Sequence, residues 1–140
     1  MIIAIRITGL NKMDTRVEET FRRLRMMKKY TAVLINETPD MMGMVEKVRN
    51  YIAFGKIDEK TLVELIKARA KIIGDSKAKV KDAEKIAKEV LGGKKLEELK
   101  IKPFFGLHPA RGGINTKKTY PKGVIGDHKE EINKLVMRML

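Results

Sequence analysis

Two histidines, His108 and His128, are the first candidates for catalysis in this chain of 140 residues. No carboxylate stands near either one at the spacing of a metal site or a catalytic triad. The chain has no cysteine, which excludes disulfides, thiolate metal sites and thiol nucleophiles. It also lacks the glycine patterns of nucleotide-binding loops. The sequence therefore predicts no enzyme, catalytic residue, small-molecule substrate, cofactor or metal, and we expect His108 to donate a hydrogen bond in a turn or to a phosphate.

The net charge points instead to a polyanionic partner. The chain has 31 Lys and Arg against 18 Asp and Glu, a formal charge of +13 and a pI near 10. A field of that size favours nucleic acid as the leading partner, with an acidic membrane surface second. The excess is spread along the chain, at +4 for 1–58, +5 for 59–102 and +4 for 103–140. This distribution predicts contact with a polyanion on several faces.

The N-terminal apolar stretch argues against membrane insertion. Arg6 interrupts it, no basic region precedes it, and no apolar run in the chain approaches twenty residues. We therefore expect no spanning helix, no signal peptide and no membrane partner, and a cytosolic protein with one modest core.

Five cations crowd the end of the first predicted helix. Arg22, Arg23, Arg25, Lys28 and Lys29 fall within eight residues without an intervening acid. Charges beside an apolar stripe are usually a solvated face. Like charges this close together cost folding energy unless an anion relieves them, so we interpret the cluster as a binding surface.

The segment 103–123, PFFGLHPARGGINTKKTYPKG, has no helical or strand periodicity and is longer than compact domains leave unstructured without a functional reason. Gly112 and Gly113 allow backbone amides to approach a phosphate, and the basic residues here are Arg111, Lys117, Lys118 and Lys122. We therefore expect the segment to become ordered on a polyanion, the alternative being a flexible surface loop. Phe104 and Phe105 suit stacking on unpaired bases, although such a pair more often anchors a loop to the core.

Periodicity predicts a β-α-β-α-β unit in residues 1–58. Its elements are a strand over 1–8, a helix over 14–28, a strand over 31–35, a helix beginning at Thr38 and Pro39, and a strand over 51–55. Thr15 and Glu18 have capping-box spacing at the start of the first helix. Gly43 inside the second helix predicts close approach by a strand or by an RNA backbone. The unit is an α+β fold with both helices on one face of a three-stranded sheet.

The sequence of the second half predicts three additions to this core, all within one compact domain. They are a lysine-rich helical insertion over 59–102, a basic Pro/Gly extension over 103–126 and a C-terminal helix over 127–140. We expect the C-terminal helix to pack on the core. Leu62, Leu65 and Ile66 indicate a third helix, Ile72 and Ile73 a short edge strand, and Val80, Ala83, Ala87, Val90 and Leu91 a fourth helix ended by Gly92 and Gly93.

The stretches TPDMMGMVEKVRNYIAFG and PFFGLHPARGG resemble the universal large-subunit ribosomal protein family called L thirty in bacteria and L seven in eukaryotes, in its archaeal form. The resemblance spans the chain. It implies a non-enzymatic structural constituent of the large ribosomal subunit in the cytoplasm, with an antiparallel three-stranded core sheet. It also implies that the partner is large-subunit ribosomal RNA near the 5S RNA and its neighbouring proteins.

The family's RNA-facing role carries over to matching positions here. The basic residues around the first helix are Lys12, Arg16, Arg22, Arg23, Arg25, Lys28 and Lys29. Two more basic residues, Lys47 and Arg49, follow the Gly-Met pair. The His-Pro-x-Arg-Gly-Gly segment contributes His108, Arg111, Gly112 and Gly113. Phosphate contacts from such residues release counterions and fix register, while RNA shape supplies most specificity. The implied function is support of subunit assembly and of translation.

Two other classes of protein compete with this interpretation. The same topology occurs in small regulatory domains and acyl-phosphate hydrolases, but a hydrolase needs Arg and Asn around a phosphate-sized loop near the first strand. TGLNKMD offers only Asn11 and Lys12 there. An architectural DNA-binding protein is the second alternative, and it would prefer duplex DNA to RNA at matched salt.

Overall fold

The computed structural model describes residues 1–9, 13–74 and 82–140. The elements are β1 (Ile2–Arg6), α1 (Thr15–Arg23), β2 (Thr31–Ile35), α2 (Pro39–Val48), β3 (Ile52–Lys56), α3 (Glu59–Arg69), α4 (Ala83–Leu91), β4 (Phe105–Gly106), β5 (Gly126–Asp127), a 3-10 turn (Lys129–Glu131) and α5 (Ile132–Met139). The predicted β-α-β-α-β order is confirmed. Of the positions singled out in the sequence, Asn11, Lys12 and Val80 lie outside the described residues.

The sheet has the strand order β4-β2-β1-β3-β5. The central strand β1 is antiparallel to β2, with Ile2 opposite Ile35, and antiparallel to β3, with Arg6 opposite Ile52. The antiparallel core is therefore confirmed, but the sheet has five strands and not three. The strand β4 pairs antiparallel with β2, and β5 pairs parallel with β3. Each of these edge strands has two residues, which is too short for an alternating pattern to reveal.

Both faces of the sheet are covered by helices. Side chains alternate along β1, so Ile2 and Ala4 pack in one cluster with residues of α1 and α2. Ile3 and Ile5 belong to a second cluster with residues of α3, α4 and α5. The prediction of helices on one face is thus correct for α1 and α2, and the later helices cover the other face.

Several predicted element boundaries need correction. The cap of α1 is Asp14 and not Thr15, because the Asp14 carboxylate accepts a hydrogen bond from the Arg16 amide at 3.0 Å. The helix ends at Arg23 and not at residue 28, because Arg25 has φ +60°, a left-handed conformation that cannot continue it.

Two further expectations are corrected by the structure. A Cβ added at Gly43 would meet no atom of the described residues within 4 Å, so none of the described strands approaches that glycine, and the alternative of an RNA backbone stays a prediction. Ile72 forms one isolated bridge with Ile101, away from the sheet, and Ile73 is exposed. The segment 72–73 is therefore not an edge strand of the sheet.

The helix α5 crosses the sheet from one end of the strands to the other. At its start, a Cβ at Gly55 of β3 would lie 2.2 Å from the Lys129 carbonyl oxygen, so only glycine permits this approach. Ile132, Leu135 and Val136 are buried in the second cluster. At its end, the Met139 carbonyl accepts a hydrogen bond from the His108 amide at 2.9 Å, next to β4. The helix thereby connects β3 with the segment that follows β4.

Candidate RNA-binding surface

Topology brings separate basic segments to one end of the sheet. Because β1 is antiparallel to β2 and β3, it finishes where they begin, and β4 finishes there too because it is antiparallel to β2. The described segments at this end include three connections: 24–30 before β2, 49–51 before β3 and 107–113 after β4. We call these three connections the basic end.

The basic end differs in charge from two connections at the opposite end of the sheet. The basic end holds no Asp or Glu, and its Lys and Arg residues are Arg25, Lys28, Lys29, Arg49 and Arg111. The connections 36–38 and 57–58, at the opposite end, carry Glu37 and Asp58 and no Lys or Arg, although the exposed Lys56 lies at that end too, as the last residue of β3. The basic end therefore brings together cations from three separate parts of the chain.

The connection 24–30 has an unusual backbone. Arg25 and Tyr30 have φ +60° and +61°, a region that residues with a Cβ rarely adopt. Met26 is fully buried between them, whereas Arg25, Lys28 and Lys29 are exposed. The Lys29 ammonium lies 4.8 Å from the centroid of the Tyr30 ring. The buried methionine and the two left-handed residues turn the three cations outward.

The connection 107–113 is held by the last turn of α5. The Arg138 guanidinium donates to the carbonyl oxygens of Arg111, from Nε at 3.0 Å and Nη2 at 2.8 Å, and of Gly113, from Nη2 at 2.6 Å. Gly112 and Gly113 have φ +80° and +75°, which explains the two adjacent glycines. Sequence reasoning missed Arg138, because one arginine on a helix gives no signal that it binds distant carbonyl groups.

The Arg111 side chain is left free by this arrangement. It is exposed, and within 1–9, 13–74 and 82–140 its guanidinium makes no hydrogen bond or ion pair. The His108 side chain is exposed as well, and its backbone amide, not its ring, donates in the turn. Both side chains at this end are accessible to a phosphate.

The rest of the extension folds back along α5. Tyr120 stacks on the buried His128, with ring centroids 4.4 Å apart, and its hydroxyl donates to the Glu131 carboxylate. This hydrogen bond raises the pKa of Tyr120 and lowers the pKa of Glu131. The lysines of this part are exposed; they are Lys117, Lys118 and Lys122.

The extension is anchored to the core by one of its two phenylalanines. Phe105 is fully buried in β4, whereas the Phe104 side chain is 41% exposed. The Leu107 amide also donates to the Tyr30 carbonyl at 2.9 Å, which joins the extension to the connection 24–30. Phe105 thus has the anchoring role, and Phe104 alone remains accessible for stacking on a base.

The cations on α1 and α2 flank the basic end. Arg16 lies on the first turn of α1 and Arg22 on its last, both exposed, and Lys47 is exposed on the last turn of α2. Arg23 pairs with Glu19 at 2.5 Å, and Arg49 pairs with Glu46. Exposed pairs of this kind are weak, so a phosphate can replace the carboxylate.

Arg25 is also paired, with Glu97 on the turn after α4. Two of the five cations of the cluster 22–29, Arg23 and Arg25, thus have an acidic partner from outside the cluster. An open groove of about 420 Å³ lies beside them, with Leu24, Val33 and Met41 among its apolar lining residues.

Other kinds of site lack support in the described part of the chain. Residues 1–9, 13–74 and 82–140 contain no group of three His, Cys, Asp or Glu side chains that could hold a metal ion. No helix in these ranges has the length and apolar character needed to cross a bilayer.

Fold and charge together define a small, basic α+β protein with cations gathered at one end of its sheet. Residues 2–52 match the family described as Ribosomal protein L30p/L7e. The chain is 38% identical to large ribosomal subunit protein uL30 of Archaeoglobus fulgidus, over 99% of both chains. It is 40% identical to the uL30 protein of Desulfurococcus amylolyticus, over 97% of this chain and 96% of the relative. It is 35% identical to the uL30 protein of Methanobrevibacter smithii, over the full length of both chains.

The chain therefore belongs to the uL30 family of large ribosomal subunit proteins, and the resemblance carried by its two motifs is confirmed. This is a family of ribosomal proteins and not a class of enzymes.

Proposed function

We propose that this protein is a structural constituent of the large ribosomal subunit in the cytoplasm, where it binds ribosomal RNA and supports subunit assembly and translation. The names of its relatives support the assignment to the subunit. The observation that carries the RNA-binding role is the basic end, where three connections from distant parts of the chain meet without one acidic residue.

The physical basis is replacement of counterions. Each Lys or Arg that contacts a phosphate releases condensed cations from the RNA, so affinity falls steeply with added salt. Folded RNA is recognised largely by shape and by backbone contacts, which suits a surface of fixed loops. In our proposal, the apolar core holds these loops rigid before the RNA arrives.

We assign the contacts in two groups. The primary group is at the basic end and comprises Arg25, Lys28, Lys29, Arg49, His108, Arg111, Gly112 and Gly113. The flanking group comprises Arg16, Arg22, Arg23, Lys47, Lys117, Lys118 and Lys122. Lys12, which lies outside the described residues, is proposed as a contact from the family resemblance alone. We further propose, from the family resemblance, that the contacted region lies near the 5S RNA and its neighbouring proteins.

A binding measurement tests this function. The purified protein is titrated with a transcript of archaeal large-subunit ribosomal RNA and with duplex DNA, at matched salt between about 50 and about 200 mM. We expect the RNA to bind more tightly than the duplex DNA. We also expect the logarithm of the association constant for RNA to fall linearly with the logarithm of the salt concentration. Preference for the duplex would favour the architectural DNA-binding alternative. Hydrolysis of an acyl phosphate by the same preparation would favour the enzyme alternative.

A further inference from the structure

Arg6 is the one arginine among the fully buried side chains of the described residues, with 1% of its surface exposed. It is the last residue of β1 and shares a strand face with Ile2 and Ala4, under α1 and α2. Its guanidinium lies 4.2 Å from the centroid of the Phe21 ring. A buried charge requires compensation, so its partners are informative.

Those partners are backbone carbonyls, apart from the Met13 sulfur at 3.9 Å from Nη2. Nη1 donates to the carbonyl oxygens of Met26 at 2.6 Å and Met27 at 3.2 Å, and Nε donates to that of Thr8 at 3.0 Å. Nη2 lies 3.4 Å from the Gly9 carbonyl oxygen. No carboxylate in the described ranges pairs with Arg6. Burial lowers the pKa of Arg6, but an arginine begins so high that it stays charged.

The carbonyls that Arg6 binds belong to the connection 24–30. The Arg6 backbone binds it too, because its carbonyl oxygen accepts from the Tyr30 amide at 2.7 Å. One residue therefore holds this connection at Met26, Met27 and Tyr30. Met26 and Met27 lie between the two left-handed residues, Arg25 and Tyr30, and Tyr30 is itself the third residue that Arg6 binds. Backbone in this region persists only where its surroundings determine it strongly.

We propose that Arg6 is a positioning residue for RNA binding, which fixes the exposed cations of 24–30 without touching the RNA itself. This inference rests on the proposed function and adds to it a buried residue that the RNA cannot reach. The residues that Arg6 binds are direct neighbours of the exposed cations in sequence. The Met26 and Met27 carbonyls come directly before Lys28 and Lys29, and Arg25 comes directly before the buried Met26.

The decisive variant is Arg6→Lys. Lysine keeps the charge but has a single nitrogen, which cannot hold the Thr8 and Met26 carbonyls in the geometry of a guanidinium fork. If Arg6 acts through position, charge conservation does not rescue binding. Ile5→Val is the matched control, because Ile5 is buried beside Arg6 in sequence but faces the other cluster.

The readout is the salt dependence of binding to the ribosomal transcript. Replacing Lys28 and Lys29 with alanine removes two phosphate contacts, so the fall in affinity between about 50 and about 200 mM salt becomes about tenfold smaller. We expect Arg6→Lys to reproduce much of this change, although Arg6 is buried. We expect Ile5→Val to leave the salt dependence unchanged.

A double-mutant cycle completes the test. If Arg6 acts through the exposed cations of 24–30, adding Arg6→Lys to a variant with Arg25, Lys28 and Lys29 changed to alanine weakens binding no further. If the losses of RNA affinity in the separate variants multiply in the combined variant, the proposal is overturned. A folded Arg6→Lys variant with the affinity and salt dependence of the original protein would overturn it too.

A second measurement decides the matter if Arg6→Lys fails to fold. Amide hydrogen exchange in the original protein should show Met26 and Tyr30 protected as strongly as β1, because Arg6 joins them. Exchange of these amides by local opening, with β1 intact, would contradict the proposal. Failure of the original protein to bind the transcript would instead refute the proposed function, and hydrogen exchange would still test the role of Arg6.

Discussion

Arg138 and Arg111 are joined by three hydrogen bonds that run in both directions. The Arg138 guanidinium donates twice to the Arg111 carbonyl oxygen, at 3.0 and 2.8 Å, and the Arg111 amide donates to the Arg138 carbonyl oxygen at 3.0 Å. One arginine is thus occupied with backbone while the other keeps a free side chain. Two arginines at the same place therefore have different surroundings, one bound to backbone carbonyls and one exposed.

Arg138→Lys should weaken binding to the ribosomal transcript several-fold, although charge is conserved. Lysine cannot donate simultaneously to Arg111 and Gly113 as the guanidinium does, so the connection 107–113 loses its fixed conformation. The dissociation constant at about 100 mM salt provides the measurement. Lys134→Gln, one turn earlier on α5, is the control and should have little effect. Full affinity in Arg138→Lys would mean that only its charge matters.

Arg111→Ala should lower RNA affinity and reduce the log-log salt slope by about 1, with little change in melting temperature. The guanidinium has no partner in the described residues, so its removal breaks no contact within the protein. Lys60→Ala is the matched control, because Lys60 is an exposed cation on the first turn of α3, beyond the opposite end of the sheet. A melting temperature that collapses in Arg111→Ala would make Arg111 structural.

The triple variant with Arg22, Arg23 and Arg25 changed to alanine should bind RNA much more weakly and remain folded. It breaks two exposed ion pairs, to Glu19 and Glu97, and such pairs contribute about 1 kcal/mol or less. Calorimetry should therefore show only a few degrees of change. Loss of cooperative melting would show instead that these guanidinium groups hold the fold together.

The sequence was most informative where elements are long. The β-α-β-α-β order and the core positions of α5 follow from apolar periodicity, because segments of five to ten residues repeat their pattern enough to be recognised. Phe105–Gly106 and Gly126–Asp127 are strands only because the rest of the sheet offers them a partner. No local pattern of two residues can indicate that.

The candidate site divides in a similar way. Gly112, Gly113 and the basic residues are visible because their types suit a phosphate. Arg6 and Arg138 are invisible by type alone, since their roles depend on carbonyl groups of residues 20 or more positions away. A weak signal did exist for Arg6, which shares the alternating register of Ile2 and Ala4 and hence their buried face.

Gly43→Ala should separate a structural from an RNA-contacting role for this glycine. A Cβ there meets no atom of the described part of the chain within 4 Å, so alanine should stabilise α2 by about 0.5–1 kcal/mol. Thermal melting measures this gain. If an RNA backbone approaches Gly43, the same variant binds RNA more weakly while being more stable, and unchanged binding would exclude such an approach.

The Tyr120 and Glu131 pair should make the extension sensitive to alkaline pH. The raised pKa of Tyr120 means that its hydrogen bond stabilises the fold below the ordinary tyrosine pKa of about 10 and that this contribution is lost as pH rises through the higher folded value. Ultraviolet titration should show a phenol that ionises above the ordinary tyrosine range. Tyr120→Phe should abolish that late titration, and its persistence in the variant would contradict the prediction.

The two-residue edge strands have a consequence for the protein before it reaches its partner. A long open strand at a sheet margin invites a second copy to add to it, which begins aggregation. Here β4 pairs with the beginning of β2 at one edge of the sheet, and β5 pairs with residues near the beginning of β3 at the other edge. Each has two residues, which is too short to form a ladder of hydrogen bonds with a second molecule. The C-terminal third of the chain thus covers two residues at or near the start of each outer strand of the core sheet.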